Sequence, residues 1–346
     1  MAGKATISMR AFGGVRIDHS VSNPIPATQA NTSMGNAGRR RHSRTNAITK
    51  KTAPANPLTK SRLMAWCDRN LAGLDATPAR IWTINAIGFP DWLHTGQRVG
   101  VQPLWTTCGR CEYCLTGREE LCQSKDITGE TVNGGYAEYM LAKALHCYPV
   151  PDEIDDVEAA PLFCPGITAY SAVSRARLAP GRTVGVFGIG GVGHMVLQFA
   201  GLTGAEVIAV TRSAVHGGIA GDLGAARVID AANVDPVRAL KEIGGVDSSI
   251  VFAPASDVVQ QAVEATKPGG TIVVGVSADI SRFAFADEKR IVGSVIGPRQ
   301  GMMEVLALAA AGKVKPVCDT FALEDAPDVL LRLKHGEIRA RAVLKM

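Results

Sequence analysis

Four of the eight cysteines in the 346-residue sequence lie within fifteen residues and could together bind one metal ion. They are Cys108, Cys111, Cys114 and Cys122, spaced C-x2-C-x2-C-x7-C. Four thiolates so close can surround one Zn²⁺ tetrahedrally, and such a closed shell is structural rather than catalytic. Disulfide pairing is disfavoured because the N-terminus does not look like a secretory signal. An iron–sulfur cluster is disfavoured because the tighter last spacing and following proline of bacterial ferredoxins are absent.

A second stretch has the residue types of a dinucleotide site. A strand is predicted over Thr183–Phe187, a G-x-G-x-x-G run follows, and a helix is predicted over His194–Leu202. The first glycine allows a tight turn, the second lets a pyrophosphate approach the backbone, and the third packs helix against strand. A glycine-rich turn without a ligand is the alternative, but strand and helix in the right places favour nucleotide binding. The predicted residues are Gly188, Gly190, Gly191, Val192 and Gly193.

The residues after the next strand bear on the choice of cofactor. A strand is predicted over Glu206–Thr211, and an acid at its end would accept the ribose hydroxyls of NAD. Thr211, Arg212 and Ser213 stand there instead. Arginine pairs with a 2′-phosphate and small hydroxyls bond to it, so NADP is favoured over NAD. The alternative is that Arg212 is a solvated surface charge and that the ribose is held otherwise.

Strand and helix patterns alternate over the rest of this region. Strands separated by helix-length segments predict an α/β fold with a parallel, doubly wound sheet. The further predicted strands are 226–230, 248–253, 271–276 and 291–296. The stretch 161–170, which contains Cys164, is predicted as a turn entering a helix. A lone cysteine is usually a small buried hydrophobe, and the residues alone favour that interpretation of Cys164.

Charge is unevenly distributed and argues against nucleic-acid binding. The net charge is +5, but residues 1–66 hold eleven Lys and Arg against the single acid Asp18. The remaining residues hold 26 bases and 31 acids, so the body is mildly acidic. No apolar run approaches the ~20 residues that span a bilayer. No membrane or nucleic-acid partner is therefore expected, and a cytoplasmic location is preferred to organellar targeting.

The first ninety-odd residues show no convincing periodic pattern. Residues 18–62 are mostly polar and include a basic cluster at 39–44. Three interpretations compete: a disordered tail, an Arg- and Ser-containing transit peptide, or an N-terminus read from a shifted frame or a different exon.

The motifs together resemble the zinc-dependent alcohol dehydrogenases of the medium-chain dehydrogenase/reductase superfamily. The resemblance covers about residues 96–346 and is carried by Gly96-Gln-Arg-Val-Gly-Val, the four cysteines, and Gly134-Gly-Tyr-Ala-Glu-Tyr. Phe163-Cys-Pro-Gly-Ile-Thr-Ala-Tyr, Gly188-Ile-Gly-Gly-Val-Gly-His and Gly297-Pro-Arg complete it. It implies a Rossmann dinucleotide-binding domain beside a GroES-like barrel with a structural zinc lobe. The expected boundaries are a leader over 1–93, a catalytic-domain remnant over 94–163 and 299–346, and the Rossmann domain over 164–298.

The resemblance also implies roles for individual residues. It makes Cys164 a catalytic zinc ligand, against the interpretation from the residues alone, and it places Thr168 beside the cofactor. Val274, Gly275 and Val276 would line the nicotinamide pocket, and Arg299 would lie near the cofactor.

One departure from the family pattern puts activity in doubt. The family's Cys-Gly-x-Cys-x-Thr-Asp-like and Gly-His-Glu motifs, which supply the first catalytic zinc ligands, are absent upstream of Gly96. Nothing in the spacing of Cys67 or His94 supports either as a substitute. This absence ranks a misread or replaced N-terminus above genuine divergence and above targeting.

The sequence therefore indicates two alternative functions. The first is an alcohol dehydrogenase or aldehyde reductase that transfers hydride between NADP(H), or NAD(H), and a small alcohol or aldehyde. The second is an inactive nucleotide-binding protein that keeps the structural zinc. The resemblance implies a homo-oligomer, a dimer or a tetramer.

Overall fold

The computed structural model describes residues 6–10, 82–85, 92–137 and 139–345, and the fold is given for these residues. Their strands form one sheet of five strands, one of six, and two of two strands each. None of their helices is both long enough and apolar enough to cross a membrane. Most of the predicted leader, with Cys67 and the basic cluster, lies outside the described residues.

The five-stranded sheet is antiparallel and comes from the N-terminal part of the chain. Its strands and the elements between them are β1 (Thr6–Arg10), β2 (Trp82–Asn85), β3 (Arg98–Val101), β4 (Leu104–Thr106), α1 (Glu112–Leu115), β5 (Asp126–Ile127), β6 (Tyr139–Lys143) and β7 (Cys147–Pro149). The strand order is β6-β1-β2-β3-β7, whereas β4 and β5 form a separate pair. Strands β1 and β2 fall within the segment for which the sequence predicted no domain.

A helical stretch leads from this sheet into the next one. It consists of α2 (Asp156–Pro161), a π-helical segment (Leu162–Gly166) and α3 (Ile167–Arg175). Asp155 caps its start, because one carboxylate oxygen accepts from the backbone N–H groups of Val157 and Glu158 at 2.8 and 2.9 Å. Pro165 has no N–H to donate to the preceding turn, so an ordinary helix cannot pass through it. The predicted turn is therefore a widened helical turn, in which the Ile167 N–H bonds to the Leu162 carbonyl.

The six-stranded sheet is parallel, and helices connect its strands. Its strand order is β10-β9-β8-β11-β12-β13, so the chain order reverses between β8 and β11. The elements are β8 (Thr183–Phe187), α4 (Gly193–Leu202), β9 (Glu206–Thr211), α5 (Ala214–Asp222), β10 (Arg227–Asp230), α6 (Pro236–Glu242), β11 (Val246–Val251), α7 (Ser256–Ala265), β12 (Thr266–Val274) and β13 (Arg290–Gly293). The predicted doubly wound fold is confirmed.

Two buried clusters cover the two faces of this sheet. Val207 and Ala209 of β9 belong to one cluster, and Ile208 and Val210 belong to the other. Alternate residues of a strand point to opposite faces, so a strand buried on both sides is apolar throughout. The first cluster also contains buried residues of α3 and α4, which places both helices on one face.

The chain ends in a small two-stranded unit. Its elements are α8 (Arg299–Ala310), β14 (Cys318–Ala322), α9 (Ala326–Lys334) and β15 (Arg341–Lys345). Strands β14 and β15 pair in parallel, with Cys318 opposite Arg341. Gly297 and Gly301 let the start of α8 lie against Ile167, since a Cβ on Gly297 would meet the Ile167 side chain at 2.8 Å.

Asp247, in β11, binds residues at the amino ends of two neighbouring strands, β8 and β12. Its Oδ2 accepts from the Thr183 N–H at 2.8 Å and from the Thr183 hydroxyl at 2.9 Å, and lies 3.4 Å from the Lys267 ammonium. Burial alone raises the pKa of Asp247, but the Thr183 donors and the Lys267 charge outweigh it, so the pKa lies below its usual value. The ionised carboxylate therefore stabilises the folded chain.

We expect Asp247→Asn to lower the free energy of unfolding at pH 7 by about 2 kcal/mol, because a charged acceptor of several hydrogen bonds is lost. A lowered folded-state pKa stabilises the fold above the usual carboxyl pKa, and the gain disappears as pH falls through the folded value. Urea unfolding at several pH values should thus show a smaller loss of stability below about pH 4 in Asp247→Asn than in the unsubstituted protein. Asp222→Asn, at an exposed position, is the charge-matched control. Equal pH dependence in Asp247→Asn and the unsubstituted protein would contradict this role.

Candidate functional site

The four clustered cysteines have the geometry of a metal shell. All four sulfurs lie within 4.8 Å of one another. The Sγ atoms of Cys108 and Cys114 are 3.9 Å apart, and those of Cys111 and Cys114 are 3.5 Å apart. Tetrahedral zinc with Zn–S bonds of about 2.3 Å requires sulfurs about 3.8 Å apart. The residues present fit zinc, as the spacing predicts.

Backbone N–H groups point at these sulfurs. The N–H of Cys111 donates to the Sγ of Cys108 at 3.3 Å, and the N–H of Cys108 donates to the Sγ of Cys122 at 3.4 Å. Backbone donors from Arg110 and Cys111 lower the pKa of Cys108 to about 6. For Cys111 the N–H of Cys114 lowers the pKa, but burial and the neighbouring thiols outweigh it and raise the pKa to about 11. Four thiolates at this distance need a cation to balance their charge.

A buried ion pair joins the cysteine lobe to the dinucleotide domain. Glu120, two residues before Cys122, is only 1% exposed. Its Oε1 accepts from the Arg175 guanidinium at 3.0 Å, and Arg175 also donates to the Ser171 carbonyl at 2.7 Å. Moving the lobe away from α3 would separate Glu120 from Arg175 and leave a buried charge uncompensated. The pair therefore holds the lobe against α3.

The glycine loop lies at the carboxyl edge of the six-stranded sheet, where the strand order reverses. Gly188 has φ +90°, and a Cβ there would lie 2.7 Å from the Ala253 nitrogen. A Cβ on Gly193 would lie 1.9 Å from the Gly188 carbonyl oxygen, so α4 can approach β8 only without a side chain. A Cβ on Gly190 would meet no atom within 4 Å, which leaves open space at the residue expected beside a pyrophosphate.

The end of β9 lies next to this loop. The Gly188 N–H donates to the Val210 carbonyl at 3.1 Å, which places Thr211, Arg212 and Ser213 beside the first glycine. Arg212 is exposed and has no hydrogen bond or ion pair within the described part of the chain. The Ser213 hydroxyl accepts from the His216 N–H and caps α5. One free cation and two hydroxyls therefore lie where the adenosine ribose is expected.

The ends of β11 and β12 continue the same edge. The Gly275 N–H donates to the Val251 carbonyl at 3.0 Å. A Cβ on Gly275 would lie 2.1 Å from the Phe252 ring, so this position requires glycine. Val274, Gly275 and Val276 are all half-buried. Thr168 lies in the first turn of α3 and is also half-buried.

Cys164 lies in the π-helical segment, with buried neighbours on both sides, and its own side chain is exposed. This exposure does not fit the small buried hydrophobe expected from the residues alone, although burial raises the pKa of the thiol and the Arg341 charge opposes that rise. Among the described residues, the only group of three or more metal-ligating side chains is the four-cysteine group. Cys164 has no such partners there, so the described residues do not fit a catalytic zinc.

Arg299 begins α8, and its charge acts on strand β7 and the turn before it. Burial, together with the Arg299 charge, lowers the pKa of His146 to about 4. The Tyr148 pKa is raised by burial, although Arg299 opposes that rise. The contacts found for Arg299 thus point to the five-stranded sheet, and none of them joins it to the glycine loop.

Arg341 is a site residue that the sequence analysis missed. A Cβ on Gly191 would lie 2.9 Å from both Cδ and Nη1 of Arg341, so the arginine lies directly against the glycine loop. Its charge lowers the pKa of His194 and opposes the burial effect on Cys318. The closing strand carries no motif that relates it to a loop 150 residues earlier in the chain, and only the fold brings them together.

Three features together define a class of protein. The glycine loop lies where the strand order reverses, an arginine lies against that loop, and a separate lobe carries four thiols. The parallel sheet is of the Rossmann type, and the class is that of dehydrogenases that use a nicotinamide dinucleotide and contain zinc.

Comparison with known proteins supports this class. Residues 83–152 match the family model for the alcohol dehydrogenase GroES-like domain, and residues 191–311 match the model for zinc-binding dehydrogenases. The chain is 41% identical over 260 residues to an alcohol dehydrogenase of Geobacillus stearothermophilus, covering 73% of this chain and 77% of that protein.

Solved structures agree with the sequence comparison. The alcohol dehydrogenase of Aeropyrum pernix superposes with a TM-score of 0.71 at 31% identity, covering 76% of this chain and 80% of that one. Acetophenone reductase of Geotrichum candidum, solved in complex with NAD, gives a TM-score of 0.68 at 25% identity, covering 76% of this chain and 79% of that one. The chain belongs to the zinc-type alcohol dehydrogenases of the medium-chain dehydrogenase/reductase superfamily, which are NAD(P)-dependent oxidoreductases.

We expect Cys111→Ser to lower the zinc content of the purified protein by about one ion per chain, because three thiolates hold zinc less tightly than four. The midpoint of thermal unfolding should fall as well, since metal-binding energy contributes to folding. Elemental analysis measures the first effect and calorimetry the second.

Cys147→Ser is the matched control for this experiment. The Cys147 thiol is buried and donates to the Lys143 carbonyl at 3.4 Å, a bond that a hydroxyl can keep. If Cys111→Ser retained as much zinc as Cys147→Ser, the four-cysteine group would not be the zinc site.

Proposed function

We propose that this chain is an NADP(H)-preferring alcohol dehydrogenase that exchanges hydride between the nicotinamide and a small alcohol or aldehyde. The observation that carries the proposal is the unpaired Arg212 at the end of β9, beside the glycine loop. A carboxylate at this position would repel a 2′-phosphate, whereas arginine pairs with it. The counter-indication is that one similar structure was solved with NAD.

In this proposal the chain's own residues bind and orient the dinucleotide. The open face of Gly190 and the N-terminus of α4 receive the pyrophosphate, and Arg341, which lies against Gly191, supplies a positive charge beside it. Arg212, with Thr211 and Ser213, contacts the ribose phosphate. Val274–Val276 and Thr168 orient the nicotinamide, whose hydride transfer is the cofactor's own chemistry.

A second candidate is a nucleotide-binding protein without dehydrogenase activity. The observation that favours it is the lone Cys164, which has no partner ligands among the described residues. Both candidates bind a dinucleotide, and both contain the structural zinc. They differ in turnover and in zinc content.

Zinc content and activity measured on one preparation separate the two candidates. The enzyme should contain about two zinc ions per chain and reduce NADP⁺ with small alcohols, and Cys164→Ser should abolish turnover and remove one zinc. The binding protein should contain about one zinc, bind NADPH and show no turnover. Cys147→Ser serves again as the control for loss of a thiol. Failure to bind any nicotinamide dinucleotide would reject both candidates.

Arg212→Asp tests the choice of cofactor. We expect NADPH affinity to fall at least tenfold relative to NADH affinity, because the substitution removes a phosphate partner and adds a repelling charge. The quenching of protein fluorescence or the enhancement of NADPH fluorescence measures both affinities. Arg227→Asp, exposed at the amino end of β10, makes the same charge change at the opposite edge of the sheet. An unchanged ratio of the two affinities in Arg212→Asp would refute NADP preference.

We also propose the domain boundaries that the sequence predicts and a place for Arg299 near the cofactor. A cytoplasmic location and a homo-oligomeric state are proposed with them.

A further inference from the structure

One buried histidine contacts both the glycine loop and the segment that leads into β14. His194, in the first turn of α4, is 0% exposed. Its Nδ1 lies 3.0 Å from the Gly190 carbonyl oxygen, and its Nε2 accepts from the Val317 N–H at 3.2 Å. Only one neutral tautomer satisfies both contacts, with the proton on Nδ1. Burial lowers the pKa of His194 to about 4, which is consistent with a neutral ring.

Val317 relays this contact to Arg341. The N–H of Val317 donates to His194, and its carbonyl accepts from the Arg341 N–H at 3.2 Å. The Arg341 side chain then returns to Gly191, the residue that follows Gly190. The contacts therefore connect the glycine loop, through the imidazole of His194 and the backbone of Val317, to the arginine that lies against the loop.

The same helix face makes a second attachment one turn later. The Gln198 Oε1 accepts from the Lys315 N–H at 2.7 Å, and its Nε2 donates to the Lys315 carbonyl at 3.0 Å. His194 and Gln198 thus bind alternate residues of one extended segment, Lys315 and Val317. The segment that leads into β14 is held in register with α4 by side chains in place of a strand partner.

His194 also orients the peptide on which the cofactor phosphates depend. The Gly190 carbonyl accepts from the His194 backbone N–H at 3.2 Å as well as facing the ring. In a planar trans peptide the carbonyl and the next N–H point in opposite directions. Holding the Gly190 carbonyl toward α4 therefore turns the Gly191 N–H away from the helix.

We propose that His194 is a positioning residue that holds Arg341 against the glycine loop, so that the loop and the arginine bind the cofactor's pyrophosphate together. Gln198 supports it by holding the same segment. The inference rests on the proposed dinucleotide binding and extends it to residues that do not touch the cofactor.

A double-mutant cycle between His194 and Arg341 tests this inference, with NADPH affinity as the readout. His194→Asn can still donate to Gly190 but is too short to reach Val317, whereas His194→Gln can offer Val317 an acceptor. We expect His194→Asn to weaken NADPH binding about tenfold and His194→Gln about threefold. In an Arg341→Leu background the same changes should weaken binding less than twofold, since coupled residues are not additive.

Gln260→Ala is the matched control, because Gln260 also binds a neighbouring loop from a helix. Its Oε1 accepts from the Arg282 N–H at 3.0 Å, on α7 rather than α4. It should leave NADPH affinity unchanged in both backgrounds. If His194→Asn does not fold, Gln198→Ala in the same cycle replaces it, with an expected loss of about threefold that shrinks in the Arg341→Leu background.

The outcomes are distinct. Full additivity of the His194 and Arg341 changes, or a Gln variant as weak as the Asn variant, would overturn the positioning role while NADPH binding by the unsubstituted protein still supports the proposed function. Absence of NADPH and NADH binding by the unsubstituted protein would overturn both. A loss of thermal stability without a loss of affinity would show that His194 is purely structural and would refute the inference.

Discussion

The approach of Gly193 to the carbonyl of Gly188 is the constraint on which the nucleotide site depends. A Cβ at Gly193 would lie 1.9 Å from that oxygen, so the start of α4 can reach the end of β8 only as glycine. This contact places the first turn of the helix at the point where the strand order reverses. The buried residues of α4 then pack on one face of the sheet and fix the helix direction.

A residue from the far end of the sequence lies against the glycine loop. Strand β15 carries Arg341 to Gly191, and β14 pairs with β15 in a register that sets Cys318 opposite Arg341. This two-stranded unit is too small to fix its own position, since isolated strand pairs are marginal in water. Its attachment to α4 through His194 and Gln198 therefore matters for the site as well as for stability. A change in the packing of β14 should therefore move Arg341 relative to the glycine loop.

The sequence predicts those elements of the fold that depend on residues close together along the chain. All six strands of the parallel sheet form near their predicted positions, because short runs rich in apolar and β-branched residues, separated by helix-length segments, are enough to predict parallel strands. The predicted strands 248–253, 271–276 and 291–296 end earlier, at Val251, Val274 and Gly293. Contacts between distant residues could not be found this way: β1 and β2 pair across a long segment, and the roles of Arg341 and His194 exist only in the folded chain.

The structural and the catalytic zinc sites differ in the same way, because the ligands of the first are close in sequence and those of the second are not. The four cysteines lie within fifteen residues, so their spacing alone specifies the shell that the structure shows. A catalytic zinc must gather its ligands from distant parts of the chain, and Cys164 by itself defines no site. The cysteine lobe reaches the dinucleotide domain through Glu120 and Arg175, a contact that involves no cofactor residue. The four-cysteine shell and the glycine loop therefore depend on different sets of residues.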